Sequence, residues 1–207
     1  MKAMKKHKDW KAQKKKKELE ESRRKIAERS QNKKLIEASD LSEVKEAVKK
    51  GANVNAHGVL GFTALMHASY KGDTDAVKDF IEKGAPVDTK DAQGRTALMM
   101  ACAEGHWNAA DILLEKGADI NATDGKHRTP LMYAAMCGHE NVVRELVNEF
   151  ELNTGIRDYK GRSATKMASD NGYTTIERII KGLENRNHRH AFQARVRRKF
   201  VERNKDD

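Results

Sequence analysis

The chain has 207 residues, of which 35% are charged and 5% aromatic, with two prolines and a formal net charge of +10. That length suits one ordinary domain with extensions. Its longest apolar run, Ala97 to Ala103, is far short of the ~20 residues a membrane-spanning helix needs. No apolar h-region follows the basic start, which argues against a secretory signal. A mitochondrial presequence fits poorly too, because the start is Lys-rich, Ser-free through Glu21 and interrupted by Asp9, Glu18 and Glu20. Two cysteines cannot staple a small secreted fold, so free thiols in the cytosol or nucleus are expected.

Placing the charge divides the chain. Residues 1–34 hold 15 Lys+Arg against 5 Asp+Glu, residues 35–180 hold 17 against 22, and residues 181–207 hold 9 against 4. The middle is mildly acidic and two basic arms flank it. The first arm, residues 1–33, carries too few apolar groups to bury a core of its own. From Glu18 it has good helix formers and no Gly or Pro, so a helix running through Ala27 into Leu35 is expected. The runs Lys14, Lys15, Lys16, Lys17 and Arg23, Arg24, Lys25 suit either an import signal or a phosphate-rich polymer. Trp10 stands alone among lysines and is expected to insert into a partner.

Beyond Leu35 the sequence repeats. Thr63, Thr96, Thr129 and Ser163 are separated by 33, 33 and 34 residues, and Gly72, Gly105, Gly138 and Gly172 by the same intervals. The threonines stand where an N-cap hydroxyl is wanted ahead of a short helix. Pro130 takes the first helical position of one copy, where a missing N–H costs nothing. The glycines predict left-handed stops to that helix. A second apolar-periodic helix follows each time: Val77-Phe80-Ile81, Ile112-Leu113-Leu114, Val142-Val143-Leu146-Val147 and Ile176-Ile179-Ile180. Gly84 and Gly117 end it in two copies, and loops containing Asp91, Asp124 and Asp158 lead to the next helix. One helix hairpin has no complete core, so stacking must bury its faces.

The period, the glycines, Thr-x-Leu-x-x-Ala and Gly-Ala-x-x-Asn/Asp resemble the ankyrin-repeat family over residues 34–181. The resemblance implies an all-α fold: an ankyrin-repeat solenoid of stacked helix-turn-helix units with finger loops, here with flanking basic helical arms. Five units are read at 34–57, 58–90, 91–123, 124–157 and 158–181. In the first, Ala38 lies only 30 residues before Ala68, which predicts a shorter helix–helix turn. The last puts Thr165, Lys166, Asp170, Asn171, Thr174 and Thr175 at formerly apolar or small positions, as suits an uncovered end. Two departures from the family pattern stand out. Met66, Met99 and Met132 replace the usual His and predict a row of buried thioethers. Phe150-Glu151-Leu152-Asn153 replaces a Gly-Ala turn and predicts an irregular junction.

In this family the partner-holding face combines the fingers and the inner helices. Carried over by position, that face holds Phe62, Tyr70, Lys71, Lys90, Arg95, Lys126, Arg128, Tyr159, Lys160 and Arg162, with Gln93, Glu104 and Met136 beside them. Arg95, Arg128 and Arg162 recur at one repeat position and would form a ladder facing an acidic partner. The alternative is a solvated charge near its own aspartate, since Asp91, Asp124 and Asp158 each lie four residues earlier.

Cys102 and His106 are four apart, but no CxxC or HxxxH spacing accompanies them, and the family's Gly-His pair implies a ring bonded to backbone. Neither metal nor cofactor is expected. No Gly-x-Ser-x-Gly elbow, Walker-type loop or isolated carboxylate pair is present, so no enzyme is expected. In the second arm, residues 182–207, Phe192, Val196 and Phe200 fall at i, i+4 and i+8 among Arg195, Arg197, Arg198, Lys199 and other basic residues. That pattern is a basic amphipathic helix, able to dock on a protein, a membrane or RNA, or to cap the last repeat.

The reading is a non-catalytic interaction scaffold or adaptor, monomeric apart from its partner and cytoplasmic or nuclear. The concave face would hold a protein, and the arms an acidic surface such as nucleic acid or an acidic filament. The alternatives are an RNA- or DNA-associated structural subunit or nuclear regulator, and an effector that occludes an enzyme.

Overall fold

A computed structural model gives the architecture and describes residues 2–38, 40–149 and 152–185. The helices are α1 (Lys2–Glu37), α2 (Leu41–Lys49), α3 (Ala64–Lys71), α4 (Thr74–Glu82), α5 (Ala97–Glu104), α6 (Trp107–Glu115), α7 (Pro130–Cys137), α8 (Glu140–Glu149), α9 (Ala164–Asp170) and α10 (174–185). No strand occurs among the described residues. Helices pair in chain order, the first pair using the end of α1. The inner helices α3, α5, α7 and α9 stack on one another, and α4, α6 and α8 stack behind them.

The start and stop signals act as their chemistry requires. The hydroxyls of Thr63, Thr96 and Thr129 accept the N–H groups of Met66, Met99 and Met132 at 3.3, 3.4 and 3.3 Å. Ser163 does the same for Lys166 at 3.1 Å. Gly72, Gly105 and Gly138 end α3, α5 and α7 in the left-handed conformation. Pro130 opens α7.

Stacking buries one column per helix layer. Phe80, Leu113, Leu146 and Ile180 recur at one outer-helix position, and all are buried. Leu65, Leu98 and Leu131 form the inner column. Each such side chain contributes roughly 1.5–3 kcal/mol when fully removed from water. Met66, Met99 and Met132 are buried between successive repeats, as expected of a packing row. The next residue in that row is Lys166, which is exposed and paired with Asp170.

Three expectations need correction. The first helix starts at Lys2 and not near Glu18, because Lys, Ala, Gln and Glu are all helix formers and no Gly or Pro interrupts 2–37. The first helix–helix turn is not shorter: three residues separate Glu37 from Leu41, against two between Lys71 and Thr74. Asp40 caps α2 just as Asp73 caps α4, 33 residues on. Among the described side chains at the end of α1, Leu35 is buried and Ala38 half-buried, so the 33-residue register holds where Ala38 suggested 30. Thr165, expected on an open end, is buried, and its hydroxyl donates to Glu184 Oε1 of α10 at 2.8 Å.

At the other departure, Phe150 and Glu151 lie outside the described residues. Register is regained at once, since Asn153 N–H donates to Asn121 Oδ1 of the preceding unit at 2.9 Å. A matching bond runs from Asp119 N–H to Asp88 Oδ1 at 3.1 Å. At the first unit, Asn32 of α1 accepts from Asn53 N–H at 2.6 Å, so α1 fills the place of a preceding repeat there.

Candidate binding surface

Each finger is a tight backbone turn. The N–H of Asp91, Asp124 and Asp158 donates to the carbonyl of Arg95, Arg128 and Arg162 at 3.0, 3.1 and 2.9 Å. The aspartate side chain fills the turn. Asp124 Oδ1 accepts the N–H groups of Lys126 and Arg128, both at 2.8 Å, and the other two aspartates repeat this pattern. The second carboxylate oxygen takes the guanidinium of the same arginine at 2.7, 2.7 and 2.8 Å. All three aspartates are buried and the arginines largely covered.

The charge of each of the three arginines is therefore matched, finger by finger, with a buried carboxylate. Burial alone would raise the Asp124 carboxyl. The bonds from Arg128, Tyr133 and Lys126 outweigh it and hold the group below its ordinary value. Asp158 is likewise held low, burial opposing and Arg162 and Lys160 prevailing.

Tyr133 is the residue that sequence reasoning missed. Its hydroxyl donates to Asp124 Oδ2 at 2.8 Å and lies 2.7 Å from Arg128 Nη2, and the guanidinium stacks 4.6 Å from its ring centre. Burial and the Asp124 bond push its phenol well above the ordinary value. A tyrosine four residues after an N-cap threonine, facing an Asp-x-x-x-Arg finger, was the available signal. In the first finger Gly58 and Phe62 stand where Asp91 and Arg95 stand in the second, so acid and base are lost together. Phe62 instead meets His67 edge-to-face at 4.6 Å and lies 6.0 Å from the Arg95 guanidinium.

Neighbouring fingers are tied by single backbone bonds. Ala92 N–H donates to Leu60 carbonyl, Gly125 N–H to Gln93 carbonyl and Tyr159 N–H to Lys126 carbonyl, at 2.8, 2.8 and 3.0 Å. A cavity of about 500 Å³ opens between the second and third tips, lined by Gln93, Gly94, Gly125 and Lys126 among others. Lys90, Lys126, Tyr159 and Lys160 are exposed, with the Lys160 ammonium 5.4 Å from the Tyr159 ring centre. Lys90 also reaches the Thr123 carbonyl of the next finger at 2.8 Å. At the end of α3, Tyr70 and Lys71 are exposed and form a similar pair at 5.5 Å. Glu104 is exposed and Met136 half-buried at the matching ends of α5 and α7. Two further exposed groups, Val59 and Leu60, escaped the sequence reading.

The turn glycines receive rings from the next repeat. His106 sits against Gly72, His139 against Gly105 and Tyr173 against Gly138. His139 Nε2 also donates to the Ala103 carbonyl at 2.7 Å. Cys102 is buried, which pushes its thiol up to about 12, and Cys137 is exposed. No cluster of three or more potential metal ligands occurs among the described residues.

On α1, every side chain from Gln13 to Ser30 is exposed, including Lys14–Lys17, Arg23, Arg24 and Lys25. Lys25 pairs with Glu21 at 2.8 Å. The Trp10 side chain lies outside what is described, as do Phe192, Arg195, Val196, Arg197, Arg198, Lys199 and Phe200. No helix among the described residues is long and apolar enough to cross a membrane.

Helix pairs with capped starts and left-handed stops, joined by hydrogen-bonded fingers, define a helical-repeat solenoid. A family model described as ankyrin repeats (3 copies) matches residues 35–124 and 122–188, and no curated protein matches the chain. The chain belongs to the ankyrin-repeat family. Repeats of this family generally mediate protein–protein interaction and are typically non-catalytic.

Proposed function

We propose that the protein is a non-catalytic adaptor or scaffold. It holds a partner protein on the face made by the fingers and inner-helix ends, and its basic arms anchor it to an acidic surface. The observation that carries this reading is the exposure of Tyr70, Lys71, Tyr159 and Lys160 on a stack whose finger arginines Arg95, Arg128 and Arg162 are internally matched. Tyrosines are favoured interface anchors. Phe62, Lys90 and Lys126 complete the contact surface, whereas Arg95, Arg128 and Arg162 act chiefly as finger braces. The repeat domain from 34, carried past the expected limit of 181 by Leu183 and Glu184 of α10, and the arms on either side are part of the same proposal.

The test is site-specific photo-crosslinking of the full chain in cells. A crosslinker at Tyr70 should trap a discrete protein, and one at Lys78, exposed on the outer helix α4, should not. Equal labelling from both positions, or from neither, would defeat the reading.

One observation favours a second reading, in which α1 binds nucleic acid. Its exposed stretch presents basic residues on all sides, with Leu19 and Ile26 its only large apolar groups, which suits a phosphate polymer better than a protein groove.

A further inference from the structure

The finger tips differ along the row. The first, residues 56–62, contains no Asp, Glu, Lys or Arg and exposes Val59 and Leu60 at 70% and 65%. The later fingers have no acidic residue except the buried Asp91, Asp124 and Asp158, each matched with its own arginine. What is left over is Lys90 on the second, Lys126 on the third, and Arg157 and Lys160 on the fourth. The row therefore runs from apolar to cationic.

Leu60 is also held in the left-handed region, at φ 57°. That conformation is sterically unfavourable for a non-glycine residue. Among the described residues nothing offsets this, since neither Val59 nor Leu60 packs against the core. An exposed, strained leucine is a place to look for a ligand.

We propose that the finger tips hold an extended acidic segment of the partner protein. Two adjacent apolar residues of that segment would sit on Val59 and Leu60, and its carboxylates would face Lys126 and Lys160. This deepens the adaptor reading and rests on it. Successive repeats lie about 10 Å apart, so the first and fourth tips span about 30 Å. An extended peptide covers that in about nine residues at about 3.3 Å each. Charge complementarity fixes the direction of the segment, because reversal would place carboxylates on an apolar tip and leave the lysines unmatched.

A random dodecapeptide display library, selected on the full chain, tests the proposal. Each round is depleted on the variant carrying Lys126→Glu and Lys160→Glu, which retains α1 and so removes peptides held by that helix. Surviving peptides should carry an acidic run and an adjacent apolar pair. They should bind Leu60→Gly about tenfold more weakly, the loss expected for one leucine anchor. Leu60→Gly should unfold at the same or a higher temperature, since glycine suits the left-handed conformation. No surviving peptide, survivors without acidic bias, or unchanged affinity for Leu60→Gly would each overturn the proposal. Crosslinking from Tyr70 and not Lys78 would then still uphold the adaptor reading, and its absence would end both.

Discussion

The ring of His139 occupies the space a side chain on Gly105 would need: a Cβ built there lies 2.6 Å from His139 Nδ1. Gly105 also has φ 78°, so two independent constraints meet at one residue. Gly117 has φ 86° but nothing within 4 Å of such a Cβ. Substitution at Gly117 thus tests backbone strain alone, and substitution at Gly105 tests strain plus displacement of the ring between repeats. Gly117→Ala should cost about 1–2 kcal/mol. Gly105→Ala should cost clearly more, because the ring must also release its bond to Ala103. Urea unfolding of both variants measures the difference.

The same contact shows what a sequence can reveal. Gly105, His106, Gly138 and His139 are visible as repeated pairs, and so are the capping hydroxyls, because both depend on residues a fixed number of positions apart. The target of each ring was not visible: it lies one repeat earlier, and the third ring is Tyr173, which breaks the Gly-His pattern. Tyr133 was hidden for the same reason, since Met100 holds the equivalent position of the preceding copy and only the fold brings Tyr133 to Asp124. Local signals placed the helices of the repeats. The first unit's register was lost because Leu35 replaces the small residue whose recurrence guided the alignment, and Ala38 is a nearby decoy. The pairing state of the finger arginines was open in sequence, because a four-residue spacing fits both a free and a bound guanidinium.

That pairing makes a prediction about the ladder. Changing Arg95, Arg128 and Arg162 together to Gln leaves three buried carboxylates without their cation. Breaking a fully buried pair costs about 3–5 kcal/mol. These guanidiniums are partly exposed, so each loss should be smaller. The expected outcome is a marked fall in melting temperature, with binding of the photo-crosslinked partner retained at temperatures where the variant is folded. Loss of that partner from a variant with unchanged melting temperature would assign the arginines to the interface instead.

Acid should open the fingers. The Asp124 carboxyl is held below its ordinary value in the folded chain, so the folded state binds that proton less readily than the unfolded one. Its stabilising effect is fully present above the unfolded carboxylate pKa of about 3.9 and is lost as pH falls through the lower folded value. Tyr133→Phe removes one of the bonds that lowers it, so the variant should be less stable near neutrality by about 1.5–3 kcal/mol. The difference from wild type should shrink below about pH 4, because the protonated carboxyl no longer benefits from the missing bond. Thermal melts of both proteins across this range measure the convergence, and a difference that stayed constant with pH would mean the hydroxyl acts by packing alone.

The exposed stretch of α1 makes the last prediction, and it turns on salt. A helix rises about 1.5 Å per residue, so the 36 residues of α1 extend roughly 54 Å and its exposed stretch about half of that. From Gln13 to Ser30 its lysines and arginines lie on all sides and Leu19 and Ile26 are the only large apolar groups, so charge dominates what it offers a partner. If phosphates are that partner, binding releases condensed counterions, and the logarithm of affinity falls with the logarithm of salt by about 0.9 per phosphate neutralised on a duplex. The full chain titrated against a labelled DNA duplex should show such a steep dependence. Changing Lys14, Lys15, Lys16 and Lys17 together to Gln should reduce the slope by up to about 3–4, since four contacts are removed. The repeat stack should be unaffected, because none of the four is buried. An affinity that barely responds to salt, or a slope that survives the quadruple change, would place the polyanion contact elsewhere than this run. The dependence on lysine number separates charge-driven binding from a shape-specific contact, in which one or two positions would carry the whole loss.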